Sequence, residues 1–197
     1  MAKIQPGTIV TMLDSGLSYP PPANTTLVVA PHPSVLKVPQ VSLTTVVGLD
    51  NNDNIVWTGS VDERHLTSSD QRYENARKRL AETLLSGQNL WRVIRPGQLR
   101  KIKQADTIYQ GDRPWVVLGG PLDYGLLAAP LNDLGDGKLR PYQCAVDAAA
   151  LIFDDSKDSK IELNHVWTFP PDVRDIGHID SSQREAIERA VRREFPV

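Results

Sequence analysis

The chain reads as a mainly β fold with terminal helices, an α+β class. Three observations predict this. Short runs rich in Val, Ile, Thr and Trp recur along it, each bounded by Gly, Pro, Asn or Asp. Only two stretches place apolar residues at helical spacing, and each closes one half of the chain. Both halves also open with Pro-Gly before a strand (Pro6-Gly7 and Pro96-Gly97) and reach their helix through a serine pair (Ser68-Ser69 and Ser181-Ser182), which suggests two similar units in tandem.

The elements follow in order. Thr8 to Thr11 is a strand after a Pro-Gly turn. Pro20-Pro21-Pro22 forbids helix and sheet interior, so residues 15–24 form an exposed loop, partly polyproline II. Thr25 to Ala30 is a strand, ended by Pro31-His32-Pro33. Ser42 to Val47 and Asn54 to Val61 are two more, joined by the turn-forming Asp50-Asn51-Asn52-Asp53. A helix over 69–86 follows, capped by Ser68 or Ser69. Its buried stripe is Tyr73, Ala76, Leu80 and Leu84, and Gly87 stops it.

The second half begins near residue 93, so the expected units are 1–92 and 93–197. Gln98 to Ile102 alternates as a half-buried strand does. Trp115 to Leu118 is a buried strand introduced by Gly111-Asp112-Arg113-Pro114, since proline fits only at a strand's start. Leu126 to Leu131 is a strand, and Asn132 to Gly137 a polar loop. Tyr142 to Phe153 is ambiguous between helix and strand. Lys160 to Thr168 alternates, with Ile161, Leu163, His165 and Trp167 on one side. A helix over 182–194 is entered through Ser182 and Glu185, a capping-box pair.

Composition narrows the function classes. Of 197 residues 40% are hydrophobic and 23% charged, ordinary globular values with room for one large or two small domains. No apolar run approaches the roughly 20 residues of a membrane span. The N-terminus lacks the apolar core of a signal peptide. The single cysteine, Cys144, has no disulfide partner and no metal-ligand spacing around it. A cytoplasmic protein without metal or cofactor is the expectation. Net charge is -2 and pI about 6.1, so any nucleic-acid site must be a local patch.

Arg113 is the first candidate. Its backbone is pinned by Pro114, and a cation held at the mouth of a strand suits a phosphate. The alternative is a solvated arginine lying over Trp115. The basic cluster of the first helix, Arg72, Arg77, Lys78 and Arg79, reads as a solvated face in preference to a nucleic-acid contact, and Arg184, Arg189, Arg192 and Arg193 lie off the stripe of the second.

Residues 94–197 resemble the MazF/PemK family of toxin endoribonucleases. Pro96-Gly97-Gln98-Leu99 stands where that family has its opening Pro-Gly-Asp-Ile strand. Arg113-Pro114-Trp115-Val116-Val117-Leu118 matches its Arg-Pro-x-x-Val-Leu strand. Ala129-Pro130-Leu131-Asn132 resembles its Pro-x-Thr strand end. Asn164-His165-Val166-Trp167-Thr168 falls where it has Asp-Gln-x-Arg-Thr, and Asp175-Ile176-Gly177-His178-Ile179 matches its Ile-Gly-x-Leu segment. The resemblance implies a small SH3-like antiparallel barrel with a C-terminal helix, usually a homodimer. It implies metal-independent cleavage of single-stranded RNA, in which the ribose 2′-hydroxyl attacks the adjacent phosphorus. By this carry-over the catalytic candidates are Arg113 and Asn132, with His165 and His178 as compensating proton-transfer groups. Gln98, Lys101, Asp133 and Thr168 are the substrate-binding candidates. Asn132 replaces the family's Thr and cannot shuttle a proton at neutral pH, and Trp167 replaces its Arg. His165, on the apolar side of its strand, can equally be a hydrogen-bonded core residue.

The implied partners are single-stranded RNA, a cognate antitoxin and either a second copy or, if the first half is a barrel that has lost its site, an internal pseudo-dimer. The competing expectation is a non-catalytic interaction module on the same barrel, of the CcdB type, since fold alone does not fix function.

Overall fold

The structure, a computed structural model, describes residues 4–13, 17, 19–30, 37–38, 41–85, 91–96, 101–104, 107–110, 113–122, 125–154 and 157–195, and at 37–38, 41–42, 101–104, 107–110 and 120–122 the backbone alone. The first half contains β1 (Thr8–Met12), β2 (Thr26–Val29), β3 (Lys37–Val38), β4 (Val41–Leu49), β5 (Ile55–Asp62), β6 (Leu66–Arg72) and α1 (Ala76–Leu85). The second contains β7 (Arg92–Ile94), β8 (Lys101–Gln104), β9 (Thr107–Gln110), β10 (Trp115–Leu122), β11 (Gly125–Asp133), β12 (Gln143–Val146), β13 (Leu151–Ile152), β14 (Ser159–Glu162), β15 (Trp167–Phe169), β16 (Asp175–Ile179) and α2 (Arg184–Glu194). The fold is mainly β, an α+β arrangement with a small, nearly closed antiparallel barrel.

Both halves use one strand order. In the first, β6, β1, β2, β4 and β5 lie side by side. In the second the order is β16, β7, β10, β11 and then β14 and β15. The opening strand thus sits between the last strand and the second one in each half, and a helix follows the last strand. β14 and β15 together take the place of β5. β4 pairs Leu43 with Asp62 and Leu49 with Ile55; likewise β11 pairs Leu126 with Phe169 and Asp133 with Ser159. The β8–β9 hairpin, β12 and β13 are additions of the second half.

Three local expectations need correction. Ser68 and Ser69 do not cap a helix; they lie inside β6, which pairs with β1. Only Leu66 of β6 is buried, so no alternation marks the strand, and the open edge of β1 decides its conformation. α1 therefore begins at Ala76, yet Ala76, Leu80 and Leu84 are buried as their spacing requires. At the second helix a single 3-10 turn, Ser181–Gln183, comes first, and Asp180 accepts from the Ser182 N–H; Gln183 precedes α2 without a side-chain cap bond. Finally, the stretch 160–168 is not one strand. It breaks into β14 and β15 around a turn at 163–164.

The largest apolar cluster is shared by the halves. It joins Val28, Val47, Leu49 and Ile55 to Leu118, Leu127, Val146 and Ile187, with Leu80 and Leu84 of α1 between. α1 lies on β10, where Gly119 leaves room: a Cβ there would stand 3.1 Å from the Thr83 carbonyl oxygen. Like elements of the two halves also meet. α1 packs against α2, and β5 against β15. Across the second contact Thr58 N–H donates to Thr168 Oγ1 at 2.7 Å, and Thr58 Oγ1 to the Val166 carbonyl at 2.7 Å. Trp167 Nε1 donates to Ser60 Oγ at 2.9 Å, and Arg77 Nη2 on α1 reaches the Glu194 carbonyl on α2 at 2.6 Å. The equivalence is incomplete, because α2 rests on β12, which has no counterpart in the first half.

Candidate functional site

The second half carries a row of polar side chains across four neighbouring segments. The β10–β11 register pairs Trp115 with Pro130, and Leu131 N–H donates to the Pro114 carbonyl at 2.9 Å. Two residues further, this register sets Arg113 opposite Asn132. Residues directly opposite in an antiparallel pair share a face. On the other side of β11, Asn132 pairs with Lys160, so Glu162 falls two residues along β14 on that same face. Gln143 of β12 is in turn opposite Glu162. Side-chain bonds follow the registers. Asn132 Nδ2 donates to Glu162 Oε1 at 3.2 Å, and Gln143 Nε2 donates to the same oxygen at 2.9 Å. Gln143 is buried, Asn132 and Glu162 are half-buried, and Arg113 is exposed.

His165 joins this row because the strand breaks. After Glu162 the chain turns, and His165 N–H donates to the Glu162 carbonyl at 3.2 Å. Its pKa is pushed down to about 4, first by burial and then by the Arg113 cation, against the upward pull of Glu162. The imidazole is therefore neutral at pH 7. Its Nδ1 is buried and has no hydrogen-bond partner among the described residues. A buried nitrogen without a partner is costly to the fold.

The other candidates do not converge here. His178 is exposed and pairs with Arg92 on β7, while Ile94, nearer to Arg113, pairs with Trp115 and Asp175. With β10 and β7 between β11 and β16, His178 lies toward the opposite end of the sheet from the row. Its neighbour there is Asp180, whose carboxyl is held below the usual range by hydrogen bonds to Ser182. Thr168 is buried, and its hydroxyl is occupied by the Thr58 N–H of the first half. Asp133 is exposed and forms an ion pair with Lys157 at 2.7 Å. Gln98 and the Lys101 side chain lie outside the described residues, as does His32. Arg113 is at the rim of the row and not at the floor of a cleft. Trp115 is 1% exposed, and Trp167 and Phe169 pack on it with ring centroids 5.1 and 4.7 Å away. Trp167 thus belongs to the apolar layer.

Glu162 and Gln143 are the members that the sequence did not single out; unbroken alternation sets Glu162 on the face away from His165. The signal was Asn164, a turn former within an otherwise regular strand. Burial pushes the Cys144 thiol above the ordinary range, away from the thiolate form. Among the described residues no group of three or more His, Cys, Asp or Glu could hold a metal ion, and no helix is long and apolar enough to cross a membrane. No protein-family model matches the chain, and no curated protein matches it.

Proposed function

We propose that the protein is a toxin-type endoribonuclease that cleaves single-stranded RNA without a metal ion, through the row on its second barrel. The observation that carries this reading is that a cation (Arg113) and an oriented carboxylate (Glu162) lie close enough to a largely buried, neutral imidazole (His165) to act on its charge. The Arg113 guanidinium binds two non-bridging oxygens of the scissile phosphate. Asn132, its amide already turned toward Glu162, donates its second N–H to the same phosphate. The 2′-hydroxyl gives its proton to His165 as its oxygen bonds to phosphorus. The P–O5′ bond then breaks, and the departing O5′ takes a proton from water.

His165 is a weak base in the free protein, but binding changes this. The phosphate neutralises the charge of Arg113, one of the two influences holding its pKa down. Glu162, held by two amides, stabilises the imidazolium as it forms. This electrostatic assistance is worth most in a site that the substrate itself closes to water.

The first half is then a barrel without a site, standing where a homodimer would place a second subunit. The repeated strand order supports this, and so do the contacts of β5 with β15 and of α1 with α2, since a two-fold pair brings like elements together. A cognate antitoxin would cover the open row, and the site of action would be cytoplasmic. One observation favours a second reading, a non-catalytic partner-binding module. The only imidazole in the row titrates far below neutrality, and Asn132 carries no proton to transfer.

The deciding experiment is incubation of the purified chain with single-stranded RNA in the presence of a chelator. Products ending in a 2′,3′-cyclic phosphate support the nuclease. Intact RNA with folded wild-type protein leaves the binding module.

A further inference from the structure

The connection between β11 and β14 brings three residues to the edge of the row. Arg140 N–H donates to Gln143 Oε1 at 2.8 Å, while the Gln143 amide nitrogen donates to Glu162 at 2.9 Å. One buried side chain therefore ties this connection to the candidate site. Arg140 Nη1 donates to the Tyr142 hydroxyl at 2.7 Å, and its guanidinium carbon lies 6.0 Å from the Tyr142 ring centroid. From α2, Arg193 reaches the same segment: Nε donates to the Pro141 carbonyl at 3.1 Å and Nη2 to the Gln143 carbonyl at 3.2 Å.

Neither of these arginines is matched by a carboxylate in direct contact. Arg64, Arg79, Arg92, Arg184 and Arg189 each pair with a carboxylate. Among the described residues Arg140 and Arg193 form no ion pair, and both are exposed. One cation against a half-buried aromatic ring, and a second on the backbone to either side of that residue, form a surface on which a base can stack while its phosphate is held. The corresponding β4–β5 connection of the first half is a tight turn and offers no such surface.

We propose that Arg140, Tyr142 and Arg193 form a subsite for one nucleotide of a single-stranded RNA, at the end of the row away from Arg113. The proposal rests on the ribonuclease reading for the identity of the strand. Tyr142 is the base platform and the two arginines are phosphate contacts. Stacking accepts any base, so the subsite adds affinity and fixes the direction of the strand without selecting a sequence.

The test measures binding and cleavage separately. A short fluorescent RNA carrying 2′-O-methyl groups throughout cannot supply the attacking hydroxyl, so anisotropy reports binding alone. Tyr142→Leu is expected to weaken binding by roughly 10-fold, and Tyr142→Phe by less than about 2-fold, since the stack survives. Arg140→Gln should lower the slope of log K against log salt by about 0.7, the loss of one phosphate contact on a single strand. On cleavable RNA these variants should raise KM and leave kcat unchanged. Melting curves of Tyr142→Phe and Arg140→Gln check that the fold is intact. Wild-type protein that binds the methylated RNA without cutting the unmodified one would end the nuclease reading, yet a loss of binding in Tyr142→Leu would still support the subsite. Wild-type protein that cuts RNA, with Kd, KM and salt slope unmoved in Tyr142→Leu and Arg140→Gln, would overturn the subsite and leave the nuclease standing. Failure of wild-type protein to bind single-stranded RNA would overturn both.

Discussion

Between β4 and β5 the chain turns within residues 50–54, whereas between β11 and β14, the same places in the repeated strand order, it travels through residues 134–158. The short turn satisfies itself. The Asp50 carboxylate accepts from the backbone N–H groups of Asn52 and Asn54 and from the Asn54 side chain, which holds its pKa below the usual range. Asp53 supplies the positive φ, 61°, that closes the hairpin. The long connection instead delivers Gln143 to the row, with Arg140 bonded to it and Tyr142 bonded to Arg140. The next strands differ in the same sense. β5 is continuous and buried along its whole length, while its counterpart is cut at 163–166 and leaves His165 beside Glu162. One scaffold is thus spent on packing in the first half and on a polar row in the second. The row requires a broken strand and a buried nitrogen without a partner, features that a purely structural copy does not need.

Four measurements break or sharpen this contrast. The largest effect is expected at Arg113. Arg113→Ala should slow RNA cleavage by roughly 10²-fold, the lower end for loss of one charge-stabilising donor because the side chain is exposed. Arg113→Lys should recover little, since a point charge does not replace a planar fork. Neither change should move the melting temperature. Unchanged cleavage by folded Arg113→Ala protein would take away the functional side of the contrast.

Next comes the pH dependence of stability. His165 titrates near 6.5 in the unfolded chain and near 4 when folded. Between these values the unfolded state binds more protons, so stability falls as pH drops from about 6.5 to about 4. The shift corresponds to a loss on the order of 2–3 kcal/mol. Urea unfolding at both ends of the window, for wild type and His165→Gln, isolates this part from the carboxylates. Parallel pH profiles for the two proteins would show that His165 is not held neutral by its surroundings.

A smaller effect is expected where the halves meet. Ser60→Ala removes the acceptor of the buried Trp167 Nε1. Leaving that donor unsatisfied should cost about 1–3 kcal/mol in unfolding free energy while leaving the row intact. A loss of cleavage greater than the loss of folded protein would mean that the first half positions the site as well as supporting it. The smallest effect belongs to Asp133, whose ion pair with Lys157 is solvent-exposed on both sides. Asp133→Ala should change stability by less than about 1 kcal/mol and leave KM unchanged. A raised KM would return Asp133 to the substrate site.

What the sequence settled by itself was local and periodic. β-rich runs, turn residues and two apolar stripes named the fold class, the α1 core face and the buried strand after Arg113-Pro114. These features rest on side-chain sterics within a few residues, which a single chain displays openly. The repeated Pro-Gly and serine marks pointed toward two similar halves, although the serines themselves fell in β6 and in a 3-10 turn. Strand pairing decided the rest. That β6 is a strand, that 160–168 breaks, that Thr168 serves the contact between halves, and that Glu162 meets Asn132 and Gln143 all depend on partners far along the chain. His165 and His178 look alike in sequence, thirteen residues apart. Only the order of the strands puts one in the row and the other toward the far end of the sheet, because register is a long-range property set by which edges find each other.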